Sequence, residues 1–245
     1  MSWCDKLASV PTIGVKLSPS LVPGDFLLRA LSPLITKSIG EDLSSLNMEE
    51  HSSFGLKFGT NDGFKYGIDP QKVSVGFAHR LRAIAVSGGP PVMEMLSRPM
   101  PFTELLPEVG MRLHDIVLAM PDISDRNLHR VGVVSTTHVD ENDLPPGIVR
   151  FIEYQEKPWN EPLSHYSFQI AVSLTKSEKW IDKCIHTITK PDDPEKLMTL
   201  QFDWQREYAD PKAIDDRQLS ADLKHCSEAA LEYFEELAEG VRFDA

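Results

Sequence analysis

No apolar run in this chain approaches the roughly 20 residues that a helix needs to cross a bilayer. The opening stretch, Met1-Ser-Trp-Cys-Asp-Lys6, has no charged segment leading into an apolar one, so neither an export signal nor a membrane anchor is expected. Cysteine is scarce. Cys4, Cys184 and Cys226 are odd in number, far apart, and form no CxxC pair. A disulfide framework is therefore excluded, and a reducing, cytoplasmic setting is the expectation. Phosphate-binding loops are missing as well. Neither GxGxxG nor GxxxxGK followed by Ser or Thr occurs, and Gly88-Gly89 runs into Pro90-Pro91, which lack the amides of a phosphate cradle. No serine sits in a GxSxG elbow. No metal site and no cofactor are expected.

Positive charge is also in deficit. The net charge is −12, which disfavours nucleic acid unless cations gather locally. Most of the excess acid lies beyond Lys190, whereas His79 to Met100 leans the other way, with Arg80, Arg82 and Arg98 against Glu94. Hydrophobic residues make up 41% and charged residues 25%, an ordinary globular balance that argues against disorder.

What is present is alternation. Ile13, Val15 and Leu17 share one face of a short strand, ended by Pro19 and Pro23-Gly24. Asp25 can cap a helix carrying Phe26, Leu27, Ala30, Leu31, Leu34 and Ile35, although Pro33 interrupts it. Phe54–Phe58 reads as a strand. Phe64, Tyr66 and Ile68 then alternate, Asp69-Pro70-Gln71 turns, and Val73, Val75 and Phe77 alternate back as a hairpin. Residues 87–101 read as an irregular break. A helix over Glu104–Met120 follows, with Pro107 in its first turn and Pro121 at its end.

The second half repeats this order. Arg130–Val139 is β-branched and strand-like, and Pro145–Ile152 is a short helix or turn. Tyr166–Leu174, Trp180–Thr189 and Leu197–Tyr208 are strands. Asp215 can cap a last helix, with Gln218 placed for a capping box and Gly240 as its stop. Leu219, Leu223, Cys226, Ala230, Tyr233 and Leu237 make an apolar seam on it. The fold class is therefore α+β: antiparallel sheet, as one piece or two, with long helices on one face. It reads as a pseudo-duplicated strand-helix-strands-helix unit within one domain over 1–245, with halves 1–120 and 121–245 joined around 87–101.

The stretches Val10-Pro-Thr-Ile-Gly-Val-Lys-Leu-Ser-Pro19, Asp62–Phe77, Arg130-Val-Gly-Val-Val134 and the acidic helix ending at Val241-Arg-Phe243 carry a resemblance. With their order, the chain resembles a sporadically distributed bacterial family of uncharacterised α+β proteins of similar size. The resemblance implies a mobile-element or host-defence neighbourhood and assigns no activity and no functional residue.

Candidate sites are few. Arg80, Arg82 and Arg98, beside His79, could hold a carboxylate or phosphate, or could pair with the protein's own acids. Met93, Met95 and Met100, with Leu96, could form an adaptable protein-binding loop or cover the core. On the last helix, Leu231, Phe234, Ala238 and Val241 form a second stripe, flanked by Glu235 and Glu239. Either the helix packs deeply there or it offers a surface to a partner. His138 with Asp140, and Cys184 with His186 beside Asp182, are the acid–base and thiol–imidazole candidates; ordinary strand and loop roles explain both. The leading expectation is a non-enzymatic protein-binding component, adaptor-, antitoxin- or immunity-like, whose partner is another protein. The alternatives are a small-ligand or nucleotide binder using a sheet–helix cavity, a hydrolase-like enzyme, and nucleic-acid recognition through the arginines.

Overall fold

A computed structural model of the chain describes residues 2–6, 10–21, 46–52, 54–85, 89, 92–97, 100–120, 122–159, 163–193 and 196–241. In chain order the described elements are α1 (Trp3–Lys6), β1 (Val10–Ser18), β2 (Asn47–Ser52), β3 (Gly55–Gly59), β4 (Phe64–Ile68), β5 (Lys72–Phe77), β6 (Leu81–Ile84), β7 (Val92–Met95), α2 (Phe102–Leu118), β8 (Asn127–Val139), α3 (Pro146–Glu156), β9 (Tyr166–Lys176), β10 (Trp180–Lys190), β11 (Met198–Ala213) and α4 (Asp216–Glu239). The expected helix around residues 26–35 and Arg98 lie outside the described residues.

The mixed α+β class holds, and one continuous antiparallel sheet carries it. Nine strands run in the order β2-β3-β4-β5-β1-β8-β11-β10-β9, and β6-β7 form a separate two-stranded ribbon. At the centre β1 pairs with β8, from Val10 opposite Thr136 to Ser18 opposite Asn127. Alternation decides which side chains face the helices. Ile13, Val15 and Leu17 of β1 are buried, and so are Val131 and Val133 of β8 and Phe202 and Trp204 of β11. They form one core with Leu105, Leu106, Val109, Leu113, Ile116 and Val117 of α2 and with the α4 seam from Leu219 to Tyr233. The seam residues Leu219, Leu223, Cys226, Ala230, Tyr233 and Leu237 are all buried, as their spacing requires. A second, smaller core gathers Ile148, Phe151 and Ile152 of α3 with Ile188, Leu200 and Leu237.

Two helix boundaries differ from expectation. α2 begins at Phe102, so Pro107 falls inside the helix and not in its first turn. The cause is a cap from a distant segment: Asp5 accepts hydrogen bonds from the Thr103 amide (3.0 Å) and hydroxyl (3.0 Å). On α4, Asp215 accepts from the Gln218 amide at 2.9 Å, but the Gln218 side chain turns to Asp222 (3.1 Å), so the reciprocal half of the capping box is not made. Gly240 ends the helix with φ 83°, a left-handed conformation that suits glycine.

The acidic last turns of α4 contribute to the fold. Glu235 accepts hydrogen bonds from the amides of Trp3 and Cys4, both at 2.9 Å, and so caps α1. With Asp5 capping α2, the four residues of α1 pin α4 to α2.

The part of the chain that is read as a break also differs. Val92–Met95 is a strand paired with β6, Leu81 opposite Met95 and Ile84 opposite Val92. Gly88-Gly89-Pro90-Pro91 dominates a local reading of this stretch, but the pairing is set by a strand on the other side of it.

One buried ion pair ties β10 to β11. Asp182 and Arg206 are register partners joined bidentately, Nε to Oδ1 at 2.7 Å and Nη2 to Oδ2 at 2.6 Å. The guanidinium also lies over the Trp180 ring, 4.8 Å from its centroid. Removing one partner strands a buried charge, whereas removing both does not. Asp182→Ala is expected to cost about 3–5 kcal/mol of unfolding free energy, and the double variant Asp182→Leu/Arg206→Met to recover most of it. Denaturant titration of the three proteins checks this; equal losses in the single and double variants would refute it.

Candidate functional site

Two surfaces depart from ordinary burial. The first is the β6–β7 ribbon. Leu81, Ile84, Val92, Met93 and Met95, with Leu96 just beyond, are each between 42% and 56% exposed. Register places Leu81, Met95, Ala83 and Met93 on one face, and Ile84 and Val92 on the other beside the Arg82–Glu94 ion pair. Both faces therefore present apolar side chains. The ribbon is anchored at its base. The Arg80 amide donates to the buried Ser97 hydroxyl (3.0 Å), and the Arg80 guanidinium donates to the Thr60 carbonyl (3.1 Å) and Asn61 Oδ1 (3.0 Å).

The second surface is a cleft of about 510 Å³ between the β9–β11 end of the sheet and helices α3 and α4. Ile170 and Val172 of β9, Phe202 of β11, and Phe234 and Leu237 of α4 line it. It exists because α3 and α4 do not fully cover the helix-facing row of β9: Phe168, Ile170 and Leu174 are only half-buried, and Val172 is exposed. Thr187, Gln201 and Glu236 also line it, and a further polar pair stands among its apolar residues. His186 Nε2 and the Tyr233 hydroxyl are hydrogen-bonded at 2.9 Å, with the two rings stacked at 5.3 Å.

Arg80 and Arg82 are engaged separately within the protein. Arg80 holds a backbone carbonyl and Arg82 pairs with Glu94 across the ribbon. Met93 and Met95 stand on the ribbon, while Met100 is half-buried against the main core. Leu231 and Phe234 are half-buried, Phe234 and Ala238 line the cleft, Glu235 is turned inward to α1, and the Glu239 carbonyl accepts from Arg150 at 2.8 Å. The second stripe thus splits between core, cleft and rim. The helix-facing row of β9 is the signal that could have found the cleft, since its alternation is strict and only the covering is incomplete.

His138 and Asp140 are held in separate local structures. His138 Nδ1 is hydrogen-bonded to Thr199 Oγ1 (3.1 Å), and Asp140 caps a short turn by accepting from the Asn142 amide (2.9 Å). Cys184 Sγ lies 4.0 Å from His186 Nδ1, with the thiol fully buried and Asp182 committed to Arg206. Among the described residues no group of three or more His, Cys, Asp and Glu side chains is placed to hold a metal ion, and no helix is long and apolar enough to cross a membrane.

Burial sets the thiol chemistry. All three cysteines are buried. Desolvation raises the Cys4 thiol, with the Glu235 carboxylate beside it adding to the effect, and pushes Cys226 up to about 12. A thiolate is the reactive form, so none of the three is expected to react with a thiol reagent at neutral pH in the native protein, and all three should react in denaturant. Rapid native labelling of Cys184 would contradict this and revive a thiol–imidazole site. Compared with protein-family models and with curated proteins, the chain matches none.

Proposed function

We propose that the chain is a non-enzymatic protein-binding component, adaptor-, antitoxin- or immunity-like, that meets its partner through the β6–β7 ribbon. The observation that carries this reading is the exposure of six large apolar side chains on and beside two short strands that lie outside the main sheet. A two-stranded ribbon is marginal in water by itself, and apolar side chains gathered on it are a cost that a partner surface offsets. Methionine supplies an adaptable contact there. A cytoplasmic, defence-related setting belongs to the same proposal; it rests on cysteine usage and on the family resemblance.

The proposal includes an internal duplication. In its favour, β1 and β8 lie side by side at the centre, and each is flanked outward by the last sheet strand of its own half, β5 and β11. Each half also closes with a long helix, α2 and α4.

The cleft favours a second reading, a small-ligand binder, because its lining is apolar around the His186–Tyr233 pair. Native mass spectrometry of the freshly purified protein tests the second reading, which expects a retained small molecule that Ile170→Trp, filling the cleft, displaces.

The leading reading is tested by affinity purification from the native host. The wild-type chain is expected to retain a stoichiometric protein partner. The variant Leu81→Ser/Met93→Ser/Met95→Ser, which strips one ribbon face, is expected to lose it. These side chains are exposed, so the Tm should shift by less than about 2 °C. A wild-type chain recovered with no stoichiometric partner, or a partner retained by the variant, would sink the proposal.

A further inference from the structure

The sheet face turned away from the helices carries an arrangement that stability alone does not explain. Lys72 of β5 is the register partner of Lys16 of β1, and Lys16 is the register partner of Arg130 of β8. Three cations thus stand side by side across three adjacent strands, in a protein of net charge −12. Like charges directly opposite one another destabilise an antiparallel pair. Acids are abundant in this chain, yet neither the Lys16 nor the Lys72 ammonium has an ion-pair partner among the described residues. Arg130 reaches Gln205 Oε1 at 3.1 Å and Glu207 at 3.9 Å, and Glu207 is shared with Lys183.

The next row along the same face is Ser74, Gly14, Gly132 and Gln205. Its two central members have no side chain, which leaves a depression in the middle of the sheet. The Lys72 side chain leans over it: a Cβ on Gly14 would meet Lys72 Cε at 3.0 Å. The far wall is the row Thr12, Val134 and Asp203. Asp203 accepts from the Gln205 side chain at 2.8 Å through Oδ2, while Oδ1 is out of solvent and has no hydrogen-bond partner among the described residues. Burial raises the Asp203 carboxyl above the usual carboxylate range, although the Gln205 hydrogen bond and the nearby Arg130 and Lys72 charges work against that. The open trough measures about 310 Å³.

We propose that this trough binds a small phosphomonoester that also carries an ammonium or hydroxyl donor. The phosphate would sit among Lys16, Lys72 and Arg130, and the donor would face the half-buried Asp203 carboxylate across the glycine floor. Two ammonium groups and a guanidinium match a dianion with several acceptor oxygens. A nucleic-acid strand does not fit, because the overall field repels a polyanion and carboxylates of Asp69 and Asp203 border the trough. The glycine row removes the side chains that would otherwise fill the space. This site is on the opposite face from the cleft and is independent of the ribbon.

Calorimetry at low salt with O-phosphoethanolamine and with inorganic phosphate tests the assignment. O-phosphoethanolamine is expected to bind more tightly than phosphate. The double variant Lys16→Gln/Lys72→Gln is expected to weaken both by about tenfold or more, because two charge-assisted contacts are lost. Asp203→Asn is expected to weaken O-phosphoethanolamine and leave phosphate no weaker. Without ligand, Lys16→Gln should melt no lower than the wild type, since it relieves repulsion between neighbours. The proposal is overturned by absence of binding of either compound up to about 10 mM, by binding that the lysine variant leaves untouched, by an Asp203→Asn effect that falls equally on both compounds, or by a lower melting temperature for Lys16→Gln.

Discussion

The ladder between β1 and β8 is the contact on which the rest of the molecule is built. It brings together two strands far apart in the chain and joins what would otherwise be two sheets. Its helix-facing side chains, Ile13 and Val15 of β1 with Val131 and Val133 of β8, are fully buried. A one-residue slip would turn them all to the open face. The register is therefore set by the core, and it in turn sets which groups meet on the opposite face. The row of Lys72, Lys16 and Arg130 is a consequence of that register, because no side chain in it is near another in sequence.

Among the described residues the two edge strands of the sheet are treated differently. β2 is short, carries Glu49 and Glu50 paired with Lys65 and Lys57, and has an irregular register with β3. These features discourage another strand from pairing. β9 runs for eleven residues with no charge between Tyr166 and Thr175. Its outward row of Ser167, Gln169, Ala171 and Ser173 is exposed, and the cleft on its other face is only partly roofed by α3 and α4. The half of the molecule that ends in α4 is therefore the less shielded half. The clip formed by α1, Asp5 and Glu235 compensates for part of this by fastening α4 to α2.

Much of the fold was legible because alternation and helical periodicity are local properties. The hairpin through Asp69-Pro70-Gln71, the strand Tyr166–Leu174 and the seam from Leu219 to Leu237 follow from residue spacing alone. What was not legible depends on contacts between distant residues. Asp5 moves the start of α2 because it reaches Thr103 from another element. Glu235 looked like an exposed partner-binding acid because nothing in its neighbourhood reveals the two amides of α1. Val92–Met95 is a strand because Leu81–Ile84 pairs with it. The trough was invisible for the same reason: Lys16, Lys72, Arg130 and Asp203 are four unremarkable residues until the register brings them together.

The charged groups set across the strands of this protein fall into two kinds, and the contrast bears on where function resides. Asp182 and Arg206 face the helices and saturate each other, so their charges are consumed by the fold. Lys16, Lys72 and Asp203 face away from the helices: the two lysines are exposed without an ion-pair partner among the described residues, and Asp203 Oδ1 is unmatched there, although Glu207 shows that a carboxylate can be accommodated in the same row as the lysines. Packing cannot account for the second set, since these side chains fill no core. Charge balance cannot account for it either, since the chain has acid to spare. Local rules of strand pairing are broken at the centre of the sheet, where the backbone is best held. A rigid frame is what a binding site needs if its groups are to stay poised without a ligand.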